Sequence, residues 1–347
     1  MSKRISILAG VIKKNQLVMI SLYLLICLGV SLQANTDINI KQKSLLEKNQ
    51  SLFIKKNKVK LATIIGKINA QLNRYNAINQ NNIFDKEVTD EISEYLMQTQ
   101  EHKLLKEYFN GLNTLNLAGC NIDDKQIKQI VHIIKKNKTI QKLDLSFNSI
   151  TEIGAKSIAY LLKNNPVITD INLELNYIKD NGVKAITQAL EKNITLTSLN
   201  LSVNNISDEG ARYISNLIKK NNTLKQIKIN DNNITAEGAV GIAIALKENN
   251  YIETLDLAYN LIGDNGAMAI AILMNEILKN NESLSYLNLG LNNIGDAGAM
   301  ALYVAMQAVP IHSKDKVELN LSNNSIGKKA KDIMGLLPKN PNMKIIL

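Results

Sequence analysis

Tryptophan is absent from this 347-residue chain, aromatic residues make up 4% of it, and it holds only three histidines and two cysteines. Without large rings, its core must be built from aliphatic side chains. His102, His132 and His312 are far apart and give no metal-ligand spacing. Serine and aspartate are plentiful, but no histidine joins them in an arrangement that would activate a nucleophile. A glycine-rich phosphate loop is also missing, because the recurring glycines belong to a longer pattern. These absences argue against an enzyme and imply no cofactor and no metal. Cys27 lies inside an apolar N-terminal run, so its removal would leave Cys120 with no disulfide partner and the fold dependent on packing.

The formal net charge of +10 invites a nucleic-acid reading, but its distribution weakens it. Residues 1–34 carry four basic residues and no acid, 35–110 carry 12 basic against 9 acidic, and the rest 25 against 22. The excess is spread thinly, and no nucleic acid is expected as partner.

Lys3, Arg4, Lys13 and Lys14 precede an apolar stretch, Leu17–Leu32, followed by Ala34 and polar Asn35-Thr36-Asp37. That order is a secretory signal, with cleavage expected after Ala34. The stretch falls short of the roughly 20 residues that span a bilayer comfortably, yet an uncleaved anchor stays open as the alternative. Export to the periplasm, cell surface or medium is therefore expected, against retention at the inner membrane.

Residues 35–111 read as a helical region. Leu61, Ile64, Ile65, Ile68, Leu72 and Tyr75 recur at helical spacing, as do apolar residues over 85–109. The second stretch is acidic and suits a cap shielding the end of a repeat array. The first carries nine basic residues between 41 and 74, which form either a solvated face or one lying on an anionic membrane.

From residue 112 the chain repeats. Written L-x-x-L-x-L-x-x-N-x-I, units start at 112, 140, 168, 196, 224, 252, 284 and 316, each 28 residues apart except for 32 after 252 and after 284. The ninth position is Cys120, then Asn148, Asn176, Asn204, Asn232, Asn260, Asn292 and Asn324. At this position an amide side chain can bond the backbone of adjacent coils where the strand ladder has ended. Cys120 takes the same slot as a structural residue. A Gly-Ala pair follows at 154–155, 210–211, 238–239, 266–267 and 298–299, with Gly182-Val183 as the variant, and then apolar residues at helical spacing. Each unit is thus a short strand and a helix whose leading glycine permits close approach. Thr151, Ser207 and Thr235 stand where an N-cap is needed. Glu152, Asp180, Asp208, Glu237, Asp264 and Asp296 lie in first turns, where the helix dipole favours negative charge. Asn165, Asn193, Asn221, Asn249 and Asn280 fall at helix ends, where left-handed geometry would stop the helix.

With these residues in register, 112–343 resembles the ribonuclease-inhibitor-like class of leucine-rich repeats, also seen in the receptor regions of NOD-like immune proteins. The resemblance implies an α/β solenoid, a horseshoe with a concave parallel sheet and convex helices, that binds proteins on its concave face. This chain departs from that class in its N-terminal signal, its scarcity of cysteine, and the lack of nucleotide-binding and effector domains. It fits an exported, monomeric interaction protein, such as a bacterial effector or surface protein, or alternatively a membrane-anchored scaffold.

Outward strand positions would meet a partner. The central row is Asn116, Asp144, Asn172, Asn200, Lys228, Asp256, Asn288 and Asn320, much of which is repeat consensus. The row before the ladder residue is more individual: Gly119, Phe147, Leu175, Val203, Asp231, Tyr259, Leu291 and Asn323. Its apolar members either line an interface or pack on the following loop. Lys142, Asp170, Glu174, Lys228, Asp231, Asp256 and Tyr286 add polar and aromatic character between the second and seventh units.

Overall fold

The computed structural model describes residues 112–280, 283–308, 317–337 and 339–347, all within one compact unit, Phe109–Leu347. The signal at 1–34, the helical region at 35–111 and the basic stretch 41–74 lie outside the described residues. Nine strands alternate with eight helices: β1 (Thr114–Asn116), α1 (Asp124–Ile134), β2 (Lys142–Asp144), α2 (Glu152–Asn164), β3 (Asp170–Asn172), α3 (Lys179–Leu190), β4 (Ser198–Asn200), α4 (Asp208–Lys220), β5 (Gln226–Lys228), α5 (Ala236–Lys247), β6 (Thr254–Asp256), α6 (Gly263–Asn280), β7 (Tyr286–Asn288), α7 (Asp296–Gln307), β8 (Val317–Asn320), α8 (Lys328–Leu336) and β9 (Met343–Ile346). All strands lie in one parallel sheet in chain order. No described helix is long and apolar enough to cross a membrane.

The middle residue of each three-residue strand points inward: Leu115, Leu143, Ile171, Leu199, Ile227, Leu255 and Leu287 stack in register, each buried. The next apolar layer is Leu117, Leu145, Leu173, Leu201, Ile229, Leu257 and Leu289. Helices close the other side with Ile127, Ile158, Ile186, Ile214, Ile242, Ile270 and Leu302. Tyr303 is the one aromatic ring in this buried set, so the described core is aliphatic, as composition requires. Neighbouring strands sit about 4.8 Å apart, whereas helix axes need about 8–10 Å. One strand and one helix per repeat therefore force the array to curve, with the sheet inside.

Glycine makes the helix side possible. A Cβ on Gly210 would collide with Ile206 and with the Asp180 carboxylate of the preceding repeat, and Gly154, Gly238 and Gly298 are equally confined.

The ladder asparagines form one continuous seam. Asn148 accepts from Ile122 N at 2.8 Å and donates to Leu117 O of the preceding coil at 3.0 Å and to Leu145 O at 2.8 Å. Asn176, Asn204, Asn232, Asn260, Asn292 and Asn324 likewise donate one coil back. Cys120 is buried in the first slot, its Sγ 3.7 Å from Ala118 O.

The helix-end asparagines act differently from the expectation. Asn165 and Asn221 have φ of −102° and −94°, not left-handed values. Their side chains do the work: Asn165 Oδ1 accepts from Val167 N and Ile168 N, and its amide donates to Asn137 O of the previous repeat at 3.1 Å. Asn193, Asn221 and Asn249 donate back in the same way at 2.7–2.8 Å. This is a second asparagine seam at the opposite end of the strands. The Asn280 side chain lies outside the described ones. A further difference is β9, which pairs Met343 with Val317 and Ile345 with Leu319 although no repeat motif announces it.

Candidate protein-binding surface

Most of the central outward row turns out to be committed to the turn that follows each strand. Asn116, Asp144, Asn172, Asn200, Asp256, Asn288 and Asn320 each accept, through Oδ1, the backbone N–H two residues on at 2.9–3.1 Å. An Asx side chain there fixes the chain's departure from the sheet. Lys228 alone interrupts the row, in register between Asn200 and Asp256. Burial pushes the Asp256 carboxyl above its ordinary value, partly opposed by the Ala258 N–H, the Lys228 charge and Asn288.

The turn delivers the next residues into a conformation the sequence does not advertise. Gly119, Phe147, Leu175, Val203, Asp231, Tyr259, Leu291 and Asn323 all have φ between 53° and 67°. Left-handed backbone suits glycine, asparagine and aspartate, and a large or β-branched side chain there is strained. Most of the apolar members keep a large share of their surface open to solvent. Phe147, Leu175, Tyr259 and Leu291 are 54%, 42%, 56% and 44% exposed, and only Val203 is half-buried.

The polar candidates lie beside them. Lys142 is exposed at one end of the row that continues through Asp170, which accepts from Thr169 Oγ1 at 2.6 Å. Glu174 accepts from Asn200 Nδ2 at 3.1 Å, the Tyr286 hydroxyl lies 3.5 Å from Asn320 Nδ2, and Asp231 is exposed on the rim. Strand register places Asp144, Asp170 and Glu174 on adjacent repeats with Phe147 and Leu175, and Asp231 and Asp256 with Tyr259.

Two contributors escape a repeat-by-repeat reading. Tyr177 and Leu261 are 54% and 53% exposed, two residues beyond Leu175 and Tyr259, where the other repeats carry Asn121, Ser149, Asn205, Asn233, Asn293 and Ser325. Their loops share a construction. In most repeats the first-turn aspartate reaches forward: Asp124 accepts from Thr151 N, Thr151 Oγ1 and Gly154 N at 2.6–2.9 Å. Asp180 and Asp208 hold Ser207 and Thr235 in the same way, and Asp264 and Asp296 hold Gly295 and Gly327. Glu152 and Ala236 stand where that aspartate is needed and do not make the clamp. In the following repeats the residue equivalent to Thr151 opens the helix and is left-handed, Lys179 at 52° and Gly263 at 60°. Each then donates its N–H to the next ladder residue's carbonyl, Asn204 O and Asn292 O. The same two loops form the isolated bridges Thr151↔Tyr177 and Thr235↔Leu261. Left-handed Asn121, Asn205 and Asn293 mark the first, fourth and seventh repeats, so the loop geometry recurs every third unit.

No group of His, Cys, Asp and Glu among the described residues has the geometry to hold a metal ion. Six segments, 136–159, 164–186, 192–215, 220–243, 248–271 and 280–302, match the family described as Leucine Rich repeat. Comparison with curated proteins gives no significant match. A solved structure titled Leiomodin-1 Actin-Binding Site 2 (ABS2) is similar at 20% identity, over 51% of this chain and 87% of that one, with a TM-score of 0.33. Nine parallel strands in chain order, a helix between each pair and an asparagine seam at each end of the strands make this array a leucine-rich-repeat solenoid.

Proposed function

We propose that the solenoid binds a protein partner through its concave sheet and the adjoining rim. The observation that carries this reading is the row of exposed apolar residues held in left-handed backbone. Gly119, Asp231 and Asn323 show that the same turn accepts residues with far less strain. Exposed Phe, Leu and Tyr at such positions oppose stability twice, through strain and through solvation, and strain of this kind is held where it serves recognition. Phe147, Leu175, Val203, Tyr259 and Leu291 are the apolar contacts, with Lys142, Asp170, Glu174, Lys228, Asp231, Asp256 and Tyr286 as polar neighbours. Binding, not catalysis, is the role, and the 28-residue spacing supports the ribonuclease-inhibitor type of repeat.

Proximity labelling in the natural compartment identifies the partner. Phe147→Ala and Tyr259→Ala are then expected to weaken its binding while leaving the melting temperature unchanged. A fall in thermal stability that accounts for the lost binding would count against the rim.

We read residues 1–34 as an export signal on their sequence alone. A mature protein whose intact mass begins at Asn35 would support export, and retention of 17–32 would support the anchored scaffold.

A further inference from the structure

We infer that the rim is a two-point dock for one protein segment carrying two apolar side chains, each with a neighbouring Lys or Arg. This rests on the protein-binding reading above and gives the partner a chemistry. The first point is Phe147, Leu175 and Tyr177 beside Asp144, Asp170 and Glu174. The second is Tyr259, Leu261 and Leu291 beside Asp231 and Asp256.

Their equivalence is structural. Both are centred on a repeat whose clamp is broken, whose first helical residue is left-handed and whose loop is bridged to the preceding coil. Each of those loops exposes one aliphatic and one aromatic side chain, in opposite order: Leu175 and Tyr177, then Tyr259 and Leu261. Three strand spacings separate them, about 15 Å at the usual ~4.8 Å per strand. Such a span is about five residues of extended chain or about ten of helix. Between the points the sheet presents polar groups, Ser198, Gln226, Lys228 and Asn230, and half-buried Val203.

Charge selects the occupant. The whole chain carries +10, yet five carboxylates face these points and none of them lies in an ion pair, while Lys142 and Lys228 are the lysines in the two outward strand rows beside them. Glu318, further along, is already paired with Lys344 at 2.7 Å. Carboxylates on the same repeats as exposed aromatic rings suit a cationic group, which gains from both the carboxylate and the ring face.

The test is selection of a random peptide library on the full chain, followed by affinities of synthesised winners. Winners are expected to pair Lys or Arg with aliphatic or aromatic residues at two places. Leu175→Asn with Tyr177→Asn should weaken them about tenfold or more, and Tyr259→Asn with Leu261→Asn similarly, a loss of about 1.4 kcal/mol per decade. Ile194→Asn and Ile272→Asn, at residues 81% and 80% exposed elsewhere, should leave affinity unchanged. Melting curves confirm that each variant folds. Winners that respond to one pair alone, or that bind the rim without basic residues, overturn the two-point dock and leave the protein-binding reading standing. An absence of winners, or winners that respond only to Ile194 or Ile272, overturns both.

Discussion

Phe147 shows the conflict written into the rim. Its φ of 57° disfavours any residue with a bulky Cβ, and over half of its surface faces solvent. Phe147→Asn is therefore expected to raise folding stability by about 0.5–1 kcal/mol while abolishing its share of partner binding. Denaturant titration and partner affinity measured on one sample would check both, and a variant that loses stability would remove strain as the signature of the site. Asp256 makes a second residue-scale case. Burial raises its carboxyl pKa in the folded protein, so the folded state binds the proton more tightly than the unfolded chain does. Its contribution is thus most favourable at acid pH and is lost as pH rises from the ordinary carboxylate range through the raised value. Asparagine occupies this turn-closing position in five other repeats, so Asp256→Asn keeps the bond to Ala258 N. The variant should melt higher than the parent at neutral pH, with the gap closing on acidification. A gap that widens in acid would contradict the burial argument.

At the scale of elements, coils are joined by three devices: apolar layers, two asparagine seams and the forward-reaching aspartates. Asp208 joins two elements, because its carboxylate receives Thr235 N, Thr235 Oγ1 and Gly238 N. Asp208→Ala should cost about 2–3 kcal/mol, the range for losing charge-assisted bonds and leaving donors unmet. Leu201→Ala, in a fully buried layer, should cost about 2–5 kcal/mol through the cavity it leaves. Urea melts would rank the two, and a negligible loss at Asp208 would mean the clamp is ornamental. Strands, helices and the first asparagine seam were legible in the sequence because a fixed period exposes every position that obeys it. The left-handed rim was not, because Phe147, Leu175, Val203, Tyr259 and Leu291 are residues that usually avoid that conformation, and only Gly119, Asp231 and Asn323 hint at it. Asn165 and Asn221 misled for the converse reason. Asparagine suits a left-handed stop and also suits side-chain bonding, and here the second use prevails. The strand Met343–Ile346 escaped notice because it has no ladder asparagine to announce it.

For the molecule as a whole, a period of three repeats is superimposed on the period of one. It arises from small departures, Glu152 and Ala236 where an aspartate clamps elsewhere, and Tyr177 and Leu261 where other repeats carry Asn or Ser. A linear reading scores these as noise within the consensus. In the folded array they mark two matching loops on the face that carries the exposed apolar rim. The most direct measurement is photo-crosslinking from a benzophenone amino acid placed at position 259 on the rim or at position 160 on α2, in cells that make the protein. Both native tyrosines are more than half exposed, so the comparison is between surfaces and not between degrees of burial. The expected result is a discrete protein adduct from position 259 and none from position 160. Adducts from position 160 alone would contradict binding through the sheet and its rim.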